Sequence, residues 1–256
     1  MRYFQPVMGL FNQLGIYLMT KLKNAILITG AGQRIGYYLV KQFLQQAEYP
    51  VIFTYRTLRP QVEELIELGA MALQVDFTQS NSLPNLVEQV STEVESLRCL
   101  IHNASVWLPD TALETSADLN ALFQLHVETP FYLNQHLASL LKASDSPLKD
   151  IISLSDCSVN RVSDEHIAYL SSKAAMQTMA RGFAKKLAPE IKVNDIAPAL
   201  IMFNESDSDS YKEKRLAQSA LGIEPGPVVV WQAVQYLMNS SYTTGTILPL
   251  EGGRSL

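Results

Sequence analysis

Short apolar runs alternate with amphipathic stretches along most of the chain. The runs are rich in β-branched residues and are flanked by turn-forming residues, which is typical of buried parallel strands. Such strands are predicted at residues 25–29, 50–55, 71–75, 99–102, 150–155, 191–196 and 246–250. Apolar residues at helical spacing predict helices at residues 37–46, 59–69, 80–96, 118–123, 129–142, 167–187 and 228–239. This alternation predicts an α/β protein built on one doubly wound parallel sheet, with helices on both faces.

The first residues do not fit this alternation. Residues 1–23 have apolar patches, but polar residues and Pro6 interrupt them, so no stretch is long enough for a membrane-spanning helix. No small-residue cleavage site follows, which argues against a secretory signal. We predict an N-terminal extension at 1–23 outside the core and a single domain at 24–256. A chain that begins at Met19 is expected to fold and keep its activity.

Composition narrows the functional classes. A net charge of −5 and a pI of about 5.4 argue against a nucleic-acid surface. Cys99 and Cys157 form no C-x-x-C pair and are expected to be reduced, which suggests a cytoplasmic protein. No metal site is predicted, and the polar residues 204–211 are expected to form a solvated lid. The four histidines are expected to be helix-end or packing residues: His102, His126, His136 and His166.

A glycine-rich turn follows the first predicted strand. Residues 29–36 read T-G-A-G-Q-R-I-G and lead directly into a predicted helix. Gly30, Gly32 and Gly36 permit a tight turn that points the helix N-terminus at a pyrophosphate. The spacing G-x-G-x-x-x-G is one residue longer than the usual dinucleotide fingerprint. The strand before it and the helix after it indicate a Rossmann-like nucleotide site.

The end of the second strand predicts which dinucleotide binds there. An NAD site usually has a carboxylate at this point to hold the ribose 2′-hydroxyl. Here the residues are Tyr55, Arg56 and Thr57. Arg56 cannot accept a hydrogen bond from that hydroxyl, but it can bind a 2′-phosphate, and Arg34 in the glycine-rich turn adds a second cation. NADPH is therefore the predicted cofactor.

Polar and aromatic residues follow two further strands at the edge where ligands bind. Asp76 and Phe77 come after the third strand, and Asn103 begins the run N-A-S-V-W after the fourth. Trp107 in this run could pack against the protein or form a flat platform for a ligand, and the sequence leaves both readings open.

Tyr169 and Lys173 are four residues apart in the predicted helix 167–187, so they share one face. A phenol with an ordinary pKa of about 10 is a weak acid at neutral pH. A nearby ammonium is expected to make the phenol easier to ionise, which suits proton donation during reduction of a carbonyl or an imine.

Together these motifs resemble the short-chain dehydrogenase/reductase family. The resemblance runs from Ala25 to the C-terminus and includes T-G-x-G-x-R-I-G, N-A, Y-x-x-x-K, V-N-x-I-x-P and the terminal G-G. It implies hydride transfer from C4 of a nicotinamide, a homo-oligomer (dimer or tetramer), and Lys173 on the nicotinamide ribose. The cofactor contacts are expected from Gly30, Arg34, Ile35, Tyr55, Arg56, Thr57, Asp76, Phe77, Asn103, Ala104, Lys173, Pro198 and Leu200.

The departures from the family pattern indicate the substrate. The family usually has a serine thirteen residues before the tyrosine, and this chain has Asp156 there. Asp156 together with Arg34 and Trp107 resembles the pteridine reductase branch, which implies a dihydropterin substrate. Asp156, Tyr169 and Lys173 are then the expected catalytic residues. The substrate contacts are expected from Arg34, Ser105, Trp107, Asp156 and Tyr169. His126 stands where many relatives have a helix asparagine, which puts their usual proton-relay water in doubt.

Three functions are compatible with these residues. The first is NADPH-dependent reduction of 7,8-dihydropterins, with hydride going to C6 and a proton to N5. The second is a carbonyl reductase acting on a 3-oxoacyl group or a sugar, against which Asp156 argues because a carboxylate repels developing oxyanion charge. The third is a catalytically silent NADP-binding regulator. Sequence leaves open which dihydropterin is preferred and whether Tyr169 or water protonates N5.

Overall fold

The structure is a computed structural model that describes residues 20–161 and 163–256. The described residues form a seven-stranded sheet in the order β3-β2-β1-β4-β5-β6-β7, and every neighbouring pair is parallel. The strands are β1 (Ala25–Ile28), β2 (Val51–Tyr55), β3 (Met71–Gln74), β4 (Leu97–His102), β5 (Asp150–Leu154), β6 (Lys192–Pro198) and β7 (Ile247–Leu250). The predicted fold class is confirmed.

The helices connect successive strands. They are α1 (Arg34–Gln46), α2 (Pro60–Glu67), α3 (Ser82–Glu93), α4 (Ser116–Phe123), α5 (Thr129–His136), α6 (Ala138–Lys142), α7 (Ile167–Leu187), α8 (Asp209–Leu216) and α9 (Val228–Asn239). A π-helical turn, Gln124–Glu128, joins α4 to α5. The predicted bounds of α7 and α9 agree with the structure to the residue.

Two apolar cores cover the two faces of the sheet. Side chains alternate along a strand, so Ile26 and Ile28 of β1 face one core while Ala25 and Leu27 face the other. The first core packs α1, α2 and α9 against the sheet, and the second packs α3, α5, α6 and α7. All four residues of β1 are fully buried, which explains why the strand reads as a continuous apolar run.

Several local predictions are wrong. The helix predicted at 80–96 is shorter, because Asn81 in a left-handed conformation precedes α3, which ends at Glu93. The helix predicted at 129–142 breaks at Leu137 into α5 and α6. No helix was predicted in the lid, residues 204–211, yet α8 begins at Asp209.

The folded part begins earlier than predicted. Leu22 forms a β-bridge with Val94, so the fold includes a residue before the predicted boundary at 24. Residues 1–19 of the predicted extension lie outside the described residues. In the part of the chain that the structure describes, no helix is both long and apolar enough to cross a membrane.

Candidate active site

A cleft of about 490 Å³ lies at the carboxyl ends of the strands, beside the glycine-rich turn. In a doubly wound sheet, ligands bind where the strand order reverses, which here is between β1 and β4. The cleft extends from the ends of β2 and β3 to the loop after β4. Predicted residues that line it are Gly30, Tyr55, Arg56, Thr57, Asp76, Phe77, Ala104, Ser105 and Trp107.

The glycine-rich turn is packed directly against the loop after β4. Gly30 has φ +65°, and a Cβ placed on it would lie 2.5 Å from Cα of Ala104. The amide of Asn103 donates to the carbonyl oxygens of Thr29 at 3.0 Å and Gly30 at 2.8 Å. A Cβ on Gly36 would lie 2.5 Å from that amide. Asn103 thus holds the turn in shape from behind, and it does not line the cleft.

The outer end of the cleft suits a phosphorylated ribose. Arg56 and Arg59 both line it, and the residue after β2 is a cation where an NAD site needs a carboxylate. Asp76 is already engaged, because its Oδ1 accepts from the backbone N–H of Thr78 at 3.0 Å and from the Thr78 hydroxyl at 2.8 Å. The donors available here therefore fit NADPH. Sequence reasoning missed Arg59, which is the N-cap residue of α2.

Arg34 lies elsewhere, and its predicted pairing with Arg56 is wrong. Its guanidinium donates to Oδ1 of Asn204 at 2.5 Å and to the carbonyl oxygen of Met202 at 2.9 Å. The side chain therefore connects the glycine-rich turn with the segment that leads to α8. This position is compatible with the other predicted role of Arg34, contact with the substrate.

The three predicted catalytic side chains meet at the carboxyl end of β5. The hydroxyl of Tyr169 donates to Oδ2 of Asp156 at 3.2 Å. Nζ of Lys173 donates to the carbonyl oxygen of Leu154 at 2.9 Å and lies 5.8 Å from the centre of the Tyr169 ring. Tyr169 is 6% exposed and Lys173 is 1% exposed, so water has little access to either group.

The electrostatics of this group differ from the sequence expectation. Burial, followed by the charge of Asp156, raises the pKa of Tyr169 well above its usual value. Burial lowers the pKa of Lys173 to about 8. The expectation that Lys173 eases ionisation of the phenol is therefore wrong for this arrangement, because the charge bonded to the hydroxyl is a carboxylate. Tyr169 holds its proton at neutral pH.

Asp156 also organises the backbone. Its Oδ1 accepts from the backbone N–H of Ser158 at 2.7 Å and caps the 3-10 turn Cys157–Asn160. The two oxygens of one carboxylate thus have different partners, the turn and the Tyr169 hydroxyl.

His126 lies fully buried in the π-helical turn, and its tautomer follows from its contacts. The backbone N–H of Val106 donates to Nε2 at 3.3 Å, so Nε2 accepts and Nδ1 carries the proton. Nδ1 then donates to the hydroxyl of Ser172 at 2.8 Å, which donates to the carbonyl oxygen of Tyr169 at 2.7 Å. This series of hydrogen bonds fixes the first turn of α7 at Tyr169.

Ser105 connects this network to the cleft. Its Oγ lies 2.9 Å from Nε2 of His126, and hydrogen bonding by Ser105 lowers the pKa of Tyr169, against the larger effect of burial. Burial and the charge of Lys173 lower the pKa of His126 to about 2, so its imidazole stays neutral. His126 therefore acts through hydrogen bonds as a neutral imidazole and not as an acid.

A fully buried carboxyl, that of Asp195, acts on Lys173. Oδ2 of Asp195, on β6, accepts from the hydroxyl of Ser155. Ser155 accepts from Nε2 of Gln177 at 2.9 Å, and the same amide lies 3.3 Å from the carbonyl oxygen of Asp156. Burial raises the pKa of Asp195 to about 7. Sequence reasoning passed over Asp195, although a charged residue inside a buried strand was the available signal.

Trp107 stands at the inner end of the cleft with one face covered. Its ring stacks on that of His166 at 4.4 Å between centroids and 28° between planes, and the side chain is 60% exposed. Asp110, in the same loop, accepts from the backbone N–H groups of Ile167 at 2.8 Å and Ala168 at 3.0 Å. The loop is thereby tied to the first turn of α7. No sequence pattern identified Asp110 as this remote cap.

Three other predicted cofactor residues do not line the cleft. Ile35 packs against the apolar core, and Pro198 is buried in β6 opposite Leu250. Leu200 borders a second cavity, which lies between α8 and the turn after β7. Across residues 20–161 and 163–256, no cluster of three or more His, Cys, Asp or Glu side chains could hold a metal ion.

Known proteins match this chain over most of its length. A family profile described as enoyl-(acyl carrier protein) reductase matches residues 30–255. Dihydromonapterin reductase of Klebsiella pneumoniae is 45% identical over 232 residues, covering 90% of this chain and 96% of that protein. The Escherichia coli K12 protein of the same name is 44% identical over 232 residues, with the same coverage.

Solved structures share the fold. Alternative dihydrofolate reductase 1 from Brucella canis, complexed with NADP, superposes with a TM-score of 0.80 at 24% identity, covering 90% of this chain and 93% of that chain. A 4-hydroxyisoleucine dehydrogenase complexed with NADH has a TM-score of 0.82 at 21% identity, covering 91% of this chain and 99% of that chain.

Proposed function

The chain belongs to the short-chain dehydrogenase/reductase family, and from this premise we propose that it is an NADPH-dependent reductase of 7,8-dihydropterins. The observation that carries the proposal is the hydrogen bond from the Tyr169 hydroxyl to the carboxylate of Asp156, which stands in place of the usual serine. The relatives called dihydromonapterin reductase support it, at 44–45% identity over 90% of the chain.

The cleft would hold the cofactor. Arg56 and Arg59 would bind the 2′-phosphate, the helix N-terminus after the glycine-rich turn would face the pyrophosphate, and Lys173 would hold the nicotinamide ribose. Bound NADPH supplies the hydride that the substrate receives at C6. The fully buried ammonium of Lys173 has its donor direction fixed by the Leu154 carbonyl oxygen at 2.9 Å.

Two side chains of the protein, Tyr169 and Asp156, can hold the proton. Tyr169 keeps a proton on its hydroxyl oxygen because burial and Asp156 raise its pKa. Asp156 accepts that hydrogen bond and can carry a proton itself, a task that a serine performs far less well. The Ser172 and His126 contacts hold the backbone of Tyr169 in place, so the hydroxyl stays aligned with the carboxylate.

Trp107 provides a flat surface in the cleft. One face of its indole is covered by His166, and the side chain still lines the cleft. A planar pterin can stack on the open face with the offset geometry that aromatic pairs prefer. The other face of the pterin would then be available to the cofactor.

One panel of assays tests the proposal. NADPH oxidation is followed with dihydromonapterin, dihydrofolate and a β-ketoacyl ester as substrates. The proposal expects turnover with a dihydropterin and little with the ester. Turnover confined to the ester would make the protein a carbonyl reductase, and NADPH binding without any turnover would make it a regulator.

We further propose a cytoplasmic homo-oligomer. The family resemblance favours a dimer or tetramer, and both Cys99 and Cys157 are free thiols. Size-exclusion chromatography with light scattering measures the assembly directly.

A further inference from the structure

The helix α7 begins without a capping group of its own. Its N-cap residue, His166, makes no side-chain cap, and the first turn contains no acidic residue. The first backbone N–H groups of a helix have no partner inside it, and the positive helix end favours a carboxylate. Asp110 supplies that carboxylate from the loop after β4, because its two oxygens accept from Ile167 at 2.8 Å and from Ala168 at 3.0 Å.

The cap of α7 differs from that of α4 in the distance along the chain. α4 has a local capping box, in which the side chains of Thr115 and Asp118 each accept from the other's backbone N–H. For α7 the capping side chain of Asp110 lies 57 residues before Ile167. A local cap stabilises one helix end, whereas a cap from a distant loop also fixes the loop that carries it. Asp110 therefore joins the loop after β4 to α7.

Two further contacts join the same loop to the start of α7. The backbone N–H of Asp110 donates to the carbonyl oxygen of Glu165 at 2.8 Å. The indole of Trp107 stacks on the ring of His166, with 4.4 Å between centroids and 28° between planes. The loop is thus held on the helix start by a side-chain cap, a backbone hydrogen bond and a ring stack.

The base of the loop is held on α7 through His126. The backbone N–H of Val106 donates to Nε2 of His126 at 3.3 Å, and Nδ1 donates to the hydroxyl of Ser172 at 2.8 Å. The ring of His126 also lies edge-on to that of Tyr169, with 5.7 Å between centroids. Trp107 follows Val106 directly, so it lies between two points at which the loop is attached to the helix that carries Tyr169.

These attachments matter because the Trp107 side chain is 60% exposed. Packing does not hold an exposed side chain in one rotamer, since such side chains change rotamer on the fast timescale of surface motion. The stack on His166 fixes the indole, and it lasts only while the loop stays on the helix start. Asp110 does not line the cleft, so its effect on a ligand would pass through Trp107.

We propose that Asp110 is a positioning residue for the reduction, which fixes the indole of Trp107 relative to Tyr169 so that one aromatic face is presented to the substrate. His166 assists by supporting the other face. This inference rests on the proposed function, since it assumes that a planar dihydropterin stacks on Trp107.

A double-mutant cycle tests whether Asp110 acts through Trp107. Asp110→Ala is expected to raise KM for dihydromonapterin about two- to tenfold, the range for loss of the stacking itself, with NADPH affinity unchanged. The same substitution in the Trp107→Ala protein is expected to leave KM where Trp107→Ala alone puts it. Effects that multiply, or no effect of Asp110→Ala on KM, would overturn the proposal.

Matched variants separate the cap from a general effect of charge. Asp164→Asn removes an exposed carboxylate three residues before Ile167 and is expected to leave KM unchanged. Asp110→Asn keeps one acceptor oxygen and is expected to give a KM between those of the parent and Asp110→Ala. His166→Phe keeps a ring under the indole and is expected to raise KM less than His166→Ala does. An equal rise in Asp164→Asn and Asp110→Ala would assign the effect to charge alone and refute the positioning role.

Fluorescence measures the position of Trp107 without turnover. The chain has two tryptophans, so Trp231→Phe leaves Trp107 as its single indole. In this background, Asp110→Ala is expected to lower the anisotropy of the indole emission, because the freed side chain moves faster, and Asp164→Asn is expected to leave it unchanged. If no dihydropterin is reduced while the anisotropy falls as expected, the proposed function fails and the positioning of Trp107 stands. If dihydropterins are reduced and the anisotropy is unchanged, the positioning role fails and the proposed function stands.

Discussion

The hydroxyl of Tyr169 donates a 3.2 Å hydrogen bond to Oδ2 of Asp156, and Oδ1 of the same carboxylate accepts from the backbone of Ser158. One side chain therefore closes a turn and accepts a hydrogen bond from the phenol that is proposed to be catalytic. Substitutions that remove only one of these two contacts test whether Asp156 takes part in the chemistry.

Asp156→Ala removes both tasks, whereas Asp156→Ser keeps a good N-cap residue for the turn. Asp156→Ala is expected to lower kcat by about 10²–10⁴, the usual contribution of general acid–base catalysis. Asp156→Ser is expected to keep the parent's melting temperature and NADPH affinity without restoring dihydropterin turnover. Stopped-flow turnover and thermal melting measure the two effects. A serine variant as fast as the parent would show that Asp156 takes no part in the chemistry.

Arg56→Asp is expected to remove most of the preference for NADPH over NADH. An exposed charge-assisted contact to the 2′-phosphate contributes about 1.5 kcal/mol, or roughly tenfold in affinity. The measurement is the ratio of kcat/KM for the two cofactors. Arg34→Met is the matched control and should leave this ratio unchanged, because Arg34 contacts Asn204 and not the outer end of the cleft. Equal use of both cofactors by the parent would contradict the NADPH assignment.

Trp107→Ala is expected to raise KM for dihydropterin while NADPH binding stays nearly intact. The stacking of an indole on a pterin contributes about 0.5–1.5 kcal/mol beyond area burial, which corresponds to a few-fold to roughly tenfold change. Trp107→Phe keeps an aromatic face and should lose less. If NADPH affinity and melting temperature fall together with KM, Trp107 acts as a packing residue with His166.

The charge on Lys173 predicts an alkaline limit for cofactor binding. Burial lowers its pKa to about 8, so the ammonium is charged below that pH and lost above it. Because Lys173 is proposed to hold the nicotinamide ribose, NADPH affinity is expected to fall as the pH rises through about 8. Fluorescence titration of NADPH between pH 6 and about 9.5 covers this range on both sides of the lowered pKa.

Asp195→Asn tests how far the Asp195 carboxylate keeps Lys173 charged. Asp195 raises the pKa of Lys173, so removing its charge should lower that pKa and move the alkaline loss to lower pH. The groups that act on Asp195 are Ser153 of β5, Ser155 just after that strand, and Lys173 and Arg181 of α7. Ser155→Ala removes the hydrogen bond that lowers the pKa of Asp195, so it is expected to shift the profile in the same direction but by less than Asp195→Asn does. An identical pH profile in Asp195→Asn would rule out this coupling.

The sequence by itself determined the sheet, the glycine-rich turn and the pair on α7. These features depend on local periodicity and on backbone requirements that neighbouring residues express, such as the left-handed φ of Gly30. The position of Asp156 thirteen residues before Tyr169 was also enough to bring the two together, since a strand end and a helix start have a fixed relationship in this fold.

Only the tertiary structure decided the rest. Arg34 contacts Asn204, 170 residues away in the sequence. It was expected to contact the 2′-phosphate together with Arg56. Arg215 and Arg254 share a cavity although they lie on different elements. The pKa of Tyr169 rises where its spacing from Lys173 predicted a fall. Burial and long-range charge depend on which elements pack together, and no local pattern in the chain carries that information.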